Sequence, residues 1–168
     1  MLYELVVPQY KKMLGNLSGI LDKAEVHFKE MKVTDDVILG LRLAPDMFPF
    51  AKQIQAVCDN AKFIVSDLAG KKTTENTYTE TTLAELQARI KDALTALDSV
   101  SPGDLEGAEE KQVTQFYWKG KTMGGYDFVV QHSIPNVYFH TMTAYSILRS
   151  NGLQIGKRDY LGKAPYKE

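Results

Sequence analysis

Three polar residues in a stretch without Asp, Glu, Lys or Arg are the first candidates for chemistry. His132, Asn136 and His140 are spaced four and four. On a helix each step of four drifts only about 40°, so all three point to one side. Val129, Thr143, Ala144 and Ile147 share that side. Neutral imidazole ligates divalent metals, acts as a general base, and donates or accepts hydrogen bonds. The residue one turn before His140, however, is Asn136, a poor ligand for zinc or nickel. His132 and His140 stand about 12 Å apart along a helix axis, too far to share one ion. Read from the residues alone, the constellation is either a set of satisfied core polar groups or a ligand site. His27 lies on the apolar stripe of the first helical segment. It reads as a hydrogen-bonded core residue, positioned to meet His140 or His132 if its helix faces theirs. Cys58, beside Val57 on another apolar stripe, reads as a small hydrophobe, with no adjacent base to make it a nucleophile. Arg42, Asp46, Gln53 and Gln55 gather at the entrance to that second stripe, Asp46 as a cap and Arg42 as an ion-pair partner. No phosphate loop, dinucleotide fingerprint, H-E-x-x-H or G-x-S-x-G pattern is present.

These residues need elements to position them, and apolar spacing predicts four helices. The first spans Tyr3 to Met31, with Pro8 either in its first turn or kinking it. Thr34-Asp35-Asp36 can cap a short turn through Leu39. The second helix is expected from Asp46, with Pro49 at its third position, to Leu68, where Ala69-Gly70 stops it. Thr-rich residues 71–81 read as a loop. Thr82-Leu83-Ala84-Glu85 fits a capping box opening the third helix, which runs to Leu97 and carries Glu85 and Arg89 as an exposed i,i+4 pair. Val113 to Trp118 has strand-forming composition, and Lys119-Gly120 with Lys121-Thr122-Met123 can close a small hairpin. Phe116-Tyr117-Trp118 either lines a pocket mouth or caps the bundle end. The fourth helix runs from about Tyr126 to Asn151, ended by Gly152, and the tail, Leu153 to Glu168, is expected to be irregular. The sum is an all-α, up-down four-helix bundle in one domain, residues 1–168. The fourth helix, apolar on two faces, either self-associates through the second or has it covered by the long loop and tail.

Composition narrows the classes. Of 168 residues, 44% are hydrophobic and 24% charged, which is ordinary for a globular domain. Lys+Arg number 20 against Asp+Glu 21, which argues against nucleic-acid binding. One cysteine excludes an internal disulfide framework. The N-terminus has no basic region followed by an apolar run, and the 128–148 stretch holds too many polar residues for a membrane span. A cytoplasmic location is the expectation.

The blocks Arg42-Leu43-Ala44-Pro45-Asp46-Met47-Phe48-Pro49, Pro135-Asn136-Val137-Tyr138-Phe139-His140, Ala144-Tyr145-Ser146-Ile147-Leu148-Arg149 and Gly156-Lys157-Arg158-Asp159-Tyr160-Leu161-Gly162 resemble an uncharacterised bacterial family placed near the DinB/YfiT-like superfamily. The resemblance covers almost the whole chain. It implies a four-helix bundle, often dimeric, with three histidines on a divalent metal: one in the second helix and an H-x-x-x-H pair in the fourth. Counting back from Gly152 places the last of these on His140 and the preceding one on Asn136. Counting back from Gly70 places the second-helix ligand at Gln55 or Ala56. One expected metal ligand, His140, is thus retained. The resemblance therefore implies a DinB-like protein with a degenerate metal site. No cofactor is expected, a zinc or nickel ion being the alternative. The expected role is to hold a small molecule in a polar pocket through His140, Asn136, His132, Gln53 and His27. The other reading is a metal-dependent thiol transferase or hydrolase. A third is a structural dimer whose polar core residues only fix helix register. A homodimer is expected, with neither nucleic acid nor membrane as partner.

Overall fold

Apolar residues at three- and four-residue spacing form the expected helices and bury the expected faces. A computed structural model describes residues 1–164 and 166. Of the tail, Pro165, Lys167 and Glu168 lie outside the described residues. Helix α1 (Leu2–Glu30) buries Val6, Tyr10, Leu14, Leu17, Leu21 and Phe28, and takes Pro8 inside its length. A short helix, α2 (Asp35–Gly40), follows. Helix α3 (Phe50–Phe63) buries Ile54, Val57, Cys58 and Ala61. Helix α4 (Leu83–Asp98) buries Leu86, Ile90, Ala93 and Leu97. The last long helix is built in three parts: one turn, α5 (Gly125–Asp127), a π-helical segment (Phe128–Ser133), and α6 (Ile134–Ser150). Helix α3 packs on both α4 and α6, and α1 packs on α4 and α6. The core is one cluster spanning all four long elements, and truncating a large side chain within it costs about 2–5 kcal/mol. The architecture is an all-α helical bundle.

The capping box at α4 forms as its sequence dictates. Glu85 N donates to Thr82 Oγ1 at 3.1 Å, and Thr82 N donates to Glu85 Oε2 at 3.1 Å. That use of Glu85 corrects the expected exposed Glu85–Arg89 pair. Arg89 is 8% exposed and turns inward, because the 71–81 loop folds over its flank and supplies Glu80 and the Thr77 carbonyl as partners.

Helix α3 begins at Phe50, not Asp46, and its N-cap is Pro49 in extended conformation. A residue before proline is pushed out of the α region, so Phe48-Pro49 cannot lie inside a helix starting at Asp46. Asp46 caps nothing there, and Arg42 donates to Met47 O rather than pairing with Asp46. The helix also ends differently: Ile64–Leu68 widens to a π-helical turn. The π turn before Pro135 has a direct cause. Proline lacks an N–H and its ring clashes with the carbonyl one turn back, and a wider turn relieves both.

The expected hairpin is smaller than its composition suggested. Only Gln112–Val113 (β1) and Met123–Gly124 (β2) pair, antiparallel, with Val113 opposite Met123. Phe116–Trp118 forms a 3₁₀ turn instead of strand. The tail is not wholly irregular: Lys157–Leu161 forms helix α7, which packs on α1 and stacks Tyr160 edge-on against Tyr145 at 6.2 Å. It covers part of the second face of α6, while Phe139 and Met142 remain about half exposed. Gly125 is where the hairpin segment meets the last long helix: a Cβ there would lie 1.9 Å from Ala108 O, so only glycine permits the approach. No helix among the described residues is long and apolar enough to cross a membrane.

Candidate functional site

A cavity of about 730 Å³ is lined chiefly by α3 and the last long helix. Helix α3 contributes Lys52, Ala56, Asp59, Asn60 and Phe63, and the last helix contributes His132, Asn136 and His140. Thr73, Asn76 and Tyr78 of the 71–81 loop form one wall, and Gln115, Phe116 and Tyr117 another. Phe116-Tyr117 thus sits at the cavity mouth.

His140 is fixed from behind. Gln53 Nε2 donates to Phe48 O at 2.9 Å, so the amide presents Oε1 to the imidazole, and His140 Nδ1 lies 2.7 Å from it. An amide oxygen only accepts, so Nδ1 must carry the proton. Burial pushes the His140 pKa down, against a smaller upward pull from Asp59. The ring is therefore neutral, and Nε2 keeps its lone pair. No hydrogen bond among the described residues engages Nε2, and it is not one of the sealed, unpartnered buried atoms.

Asn60 is fixed in the same manner. Its Nδ2 donates to Ala56 O at 2.8 Å and reaches Asn136 Oδ1 at 3.4 Å. His132 occupies the aromatic end of the cavity. Its ring stacks on Phe128 at 5.4 Å and meets Trp118 edge-on at 5.2 Å, with Nε2 3.3 Å from Tyr117 Oη. Burial lowers its pKa too. The expected ligand set thus divides. His140, Asn136 and His132 line one cavity, and Gln53 stands directly behind His140. His27 lies elsewhere, its Nε2 sealed beside the position of Gly152, because α1 presents it to the C-terminal end of α6. Cys58 is fully buried, and burial pushes its thiol up to about 12, which makes it inert.

Asn60 escaped the sequence reading, although it shares a four-residue stripe with Lys52 and Ala56. A second polar layer escaped with it. On the α4 side of α3, Arg89 pairs with Asp59 and Glu80, each at 2.6 Å. Gln55 donates to Glu80 at 2.9 Å, and Tyr78 Oη donates to Asp59 at 3.0 Å. Lys62, 4% exposed, pairs with Asp92 and donates to Thr74 Oγ1 at 2.5 Å. The ammonium of Lys52 lies 4.0 Å from the centre of the Tyr78 ring. These contacts fasten the 71–81 loop as a cavity wall.

The three metal positions implied by the resemblance can now be tested on donor chemistry. His140 is oriented well for coordination, since a ligating imidazole usually gives its other N–H to an oxygen. The remaining positions do not fit. Gln55 is turned away to Glu80, Ala56 offers a methyl group, and Asn136 and Asn60 offer neutral amides. Zinc and nickel sites want imidazole, thiolate or carboxylate. Among the described residues no group of three or more His, Cys, Asp or Glu side chains could hold a metal ion.

The sequence matches the model of a family described as a domain of unknown function, DUF1993, over residues 2–161. The fold is similar to the crystal structure of a DinB family member protein from Shewanella denitrificans. That similarity has a TM-score of 0.93 and 48% sequence identity, covering 100% of this chain and 96% of that one. No curated protein matches. A family match over nearly the full length, with a DinB family bundle at this identity, establishes that the chain belongs to the DUF1993 family of DinB-like helical bundles.

Proposed function

We propose that the cavity between α3 and α6 binds an uncharged small organic molecule directly, with His140 Nε2 as the acceptor that orients it and no resident metal. One observation carries this reading: the Phe48 O–Gln53–His140 relay, which fixes the tautomer and leaves one basic nitrogen unused. Charge supports it. Two of the lining charges, Asp59 and Lys62, are already neutralised by Arg89 and Asp92, and both imidazoles are held neutral by burial. The other two lining charges, Lys52 and Asp67, are of opposite sign, so the wall as a whole favours neither a cation nor an anion. Phe48, Phe63 and Tyr117 supply apolar walls, and the volume lies within the roughly 300–1,000 Å³ of small-molecule sites.

A second reading, a metal-dependent thiol transferase or hydrolase, draws on the same relay, because a metal-ligating histidine is oriented in this way. It requires further ligands that Asn136, Ala56 and Asn60 do not supply. Titration of chelator-treated, isotope-labelled protein with 4-methylphenol separates the two. The direct-binding reading expects saturable shifts at His140 and Asn136 without metal, and weaker binding of the methyl ether, which cannot donate to Nε2. No saturable shift overturns it, and shifts that need added zinc favour the metal-dependent reading.

A further inference from the structure

Three side chains in the cavity each have one polar atom occupied and one open, and the occupied atom fixes the sense of the open one. Asn60 commits Nδ2 to Ala56 O and to Asn136 Oδ1, which leaves Asn60 Oδ1 as a free acceptor. Asn136 commits Oδ1 to Asn60, which leaves its Nδ2 as a free donor. His140 commits Nδ1–H to Gln53, which leaves Nε2 as a free acceptor. None of the three open atoms is among the sealed buried ones, and all three residues line the cavity. Asn136 and His140 are one turn apart on α6, about 6 Å along its axis, and Asn60 stands opposite Asn136. The free groups therefore follow the order acceptor, donor, acceptor.

We infer that the ligand presents the complementary edge, N–H, C=O, N–H, and is a urea or cyclic ureide carrying a planar apolar group. The carbonyl accepts from Asn136 Nδ2, and the flanking N–H groups donate to Asn60 Oδ1 and His140 Nε2. A carboxylate offers no donor to either acceptor, and a simple alcohol fills one of the three positions. The planar group has Phe63, Tyr117 and the His132 ring beside it, where aromatic surfaces pack in offset or edge-on geometry. This inference rests on the direct-binding reading and specifies what that cavity selects.

The probe is 5-phenylhydantoin, whose ring carries the N–H, C=O, N–H edge and is uncharged near neutral pH. Its 1,3-dimethyl derivative keeps shape and apolar area but loses both donors. Titrations followed at His140 and Asn136 are expected to give at least tenfold weaker binding for the dimethyl compound. The variant Asn136→Asp replaces the central donor with an acceptor at almost unchanged size. It is expected to lose at least tenfold for 5-phenylhydantoin, with a melting transition close to that of the wild type showing that the variant is folded. Equal binding of the two hydantoins, or an unaffected Asn136→Asp variant, overturns the inference. Failure of 5-phenylhydantoin to bind while 4-methylphenol binds overturns the ureide edge and leaves the direct-binding cavity standing. Failure of both probes overturns both.

Discussion

The two faces of α3 carry polar side chains to opposite ends. Toward α4, Gln55, Asp59 and Lys62 join Arg89, Glu80 and Asp92 in a layer of charges whose geometry is almost wholly taken up by partners. Toward α6, Gln53 and Asn60 join His140 and Asn136 in a neutral layer that keeps an open atom on three of its four members. Charges in a protein interior must be paired or they are too costly to bury. Their hydrogen-bonding capacity is thereby consumed, and the layer can only hold structure. Neutral amides and imidazole cost less to leave partly open, so they can wait for a ligand. Within one helix, paired charges hold the scaffold, and open atoms on neutral groups mark the site.

The most severe way to break the charged layer is Arg89→Met. It strands Asp59 and Glu80 and frees the wall carrying Thr77 and Glu80. Urea unfolding should show a loss of about 3–5 kcal/mol, the range for removing one partner of a buried ion pair. A loss under about 1 kcal/mol would mean that the layer is solvated and the contrast between the faces is false.

Acid titration should separate the two layers by pH. For Glu80, burial pushes the pKa up, but Arg89, its own backbone and Gln55 outweigh it and the net shift is down. Asp92 shifts down as well, burial being outweighed by Lys62 and Thr74. A carboxyl lowered in the folded state stabilises above its unfolded pKa, and that contribution is lost as pH falls through the folded value. His140 is lowered from 6.5, so the unfolded chain takes its proton first. Its contribution is complete above 6.5 and falls below that, in a higher window. Stability measured against pH should therefore decline in two stages. Glu80→Gln should weaken only the more acidic stage, and His140→Gln only the upper one.

A smaller effect is expected from Gln53→Ala, which removes two hydrogen bonds at about 1 kcal/mol each and releases the His140 tautomer. Thermal melting and 4-methylphenol titration of that variant should show a modest stability loss beside weaker binding. Smallest of all, Asn136→Ala should change stability by no more than about 0.5 kcal/mol, since its one bond is long. A large loss there would make the neutral layer structural and erase the distinction.

The bundle was legible because the apolar stripes that hold Leu14, Ile54, Ile90 and Ile147 each repeat at helical spacing, and burial of such stripes decides the fold. The capping box at Thr82 was legible because its signal is local. Arg89 was not, because its partners Asp59 and Glu80 lie in other elements, and an i,i+4 Glu85 in sequence offered a simpler partner. The start of α3 was misplaced because the restriction that Pro49 puts on Phe48 outweighed a capping residue. His140, Asn136 and Gln53 stood out by type and spacing. Asn60 did not, since what marks it is its contact with Asn136 on α6, which exists only in three dimensions.

The central claim is that His140 is a neutral imidazole with its proton on Nδ1 and its Nε2 lone pair free. Long-range nitrogen–proton NMR correlations of the His140 ring near pH 7.5 test this directly. A protonated-type Nδ1 shift beside an unprotonated-type Nε2 shift in the wild type, averaged in Gln53→Ala, is the expected result. A proton resident on Nε2, or a charged ring at that pH, would contradict it.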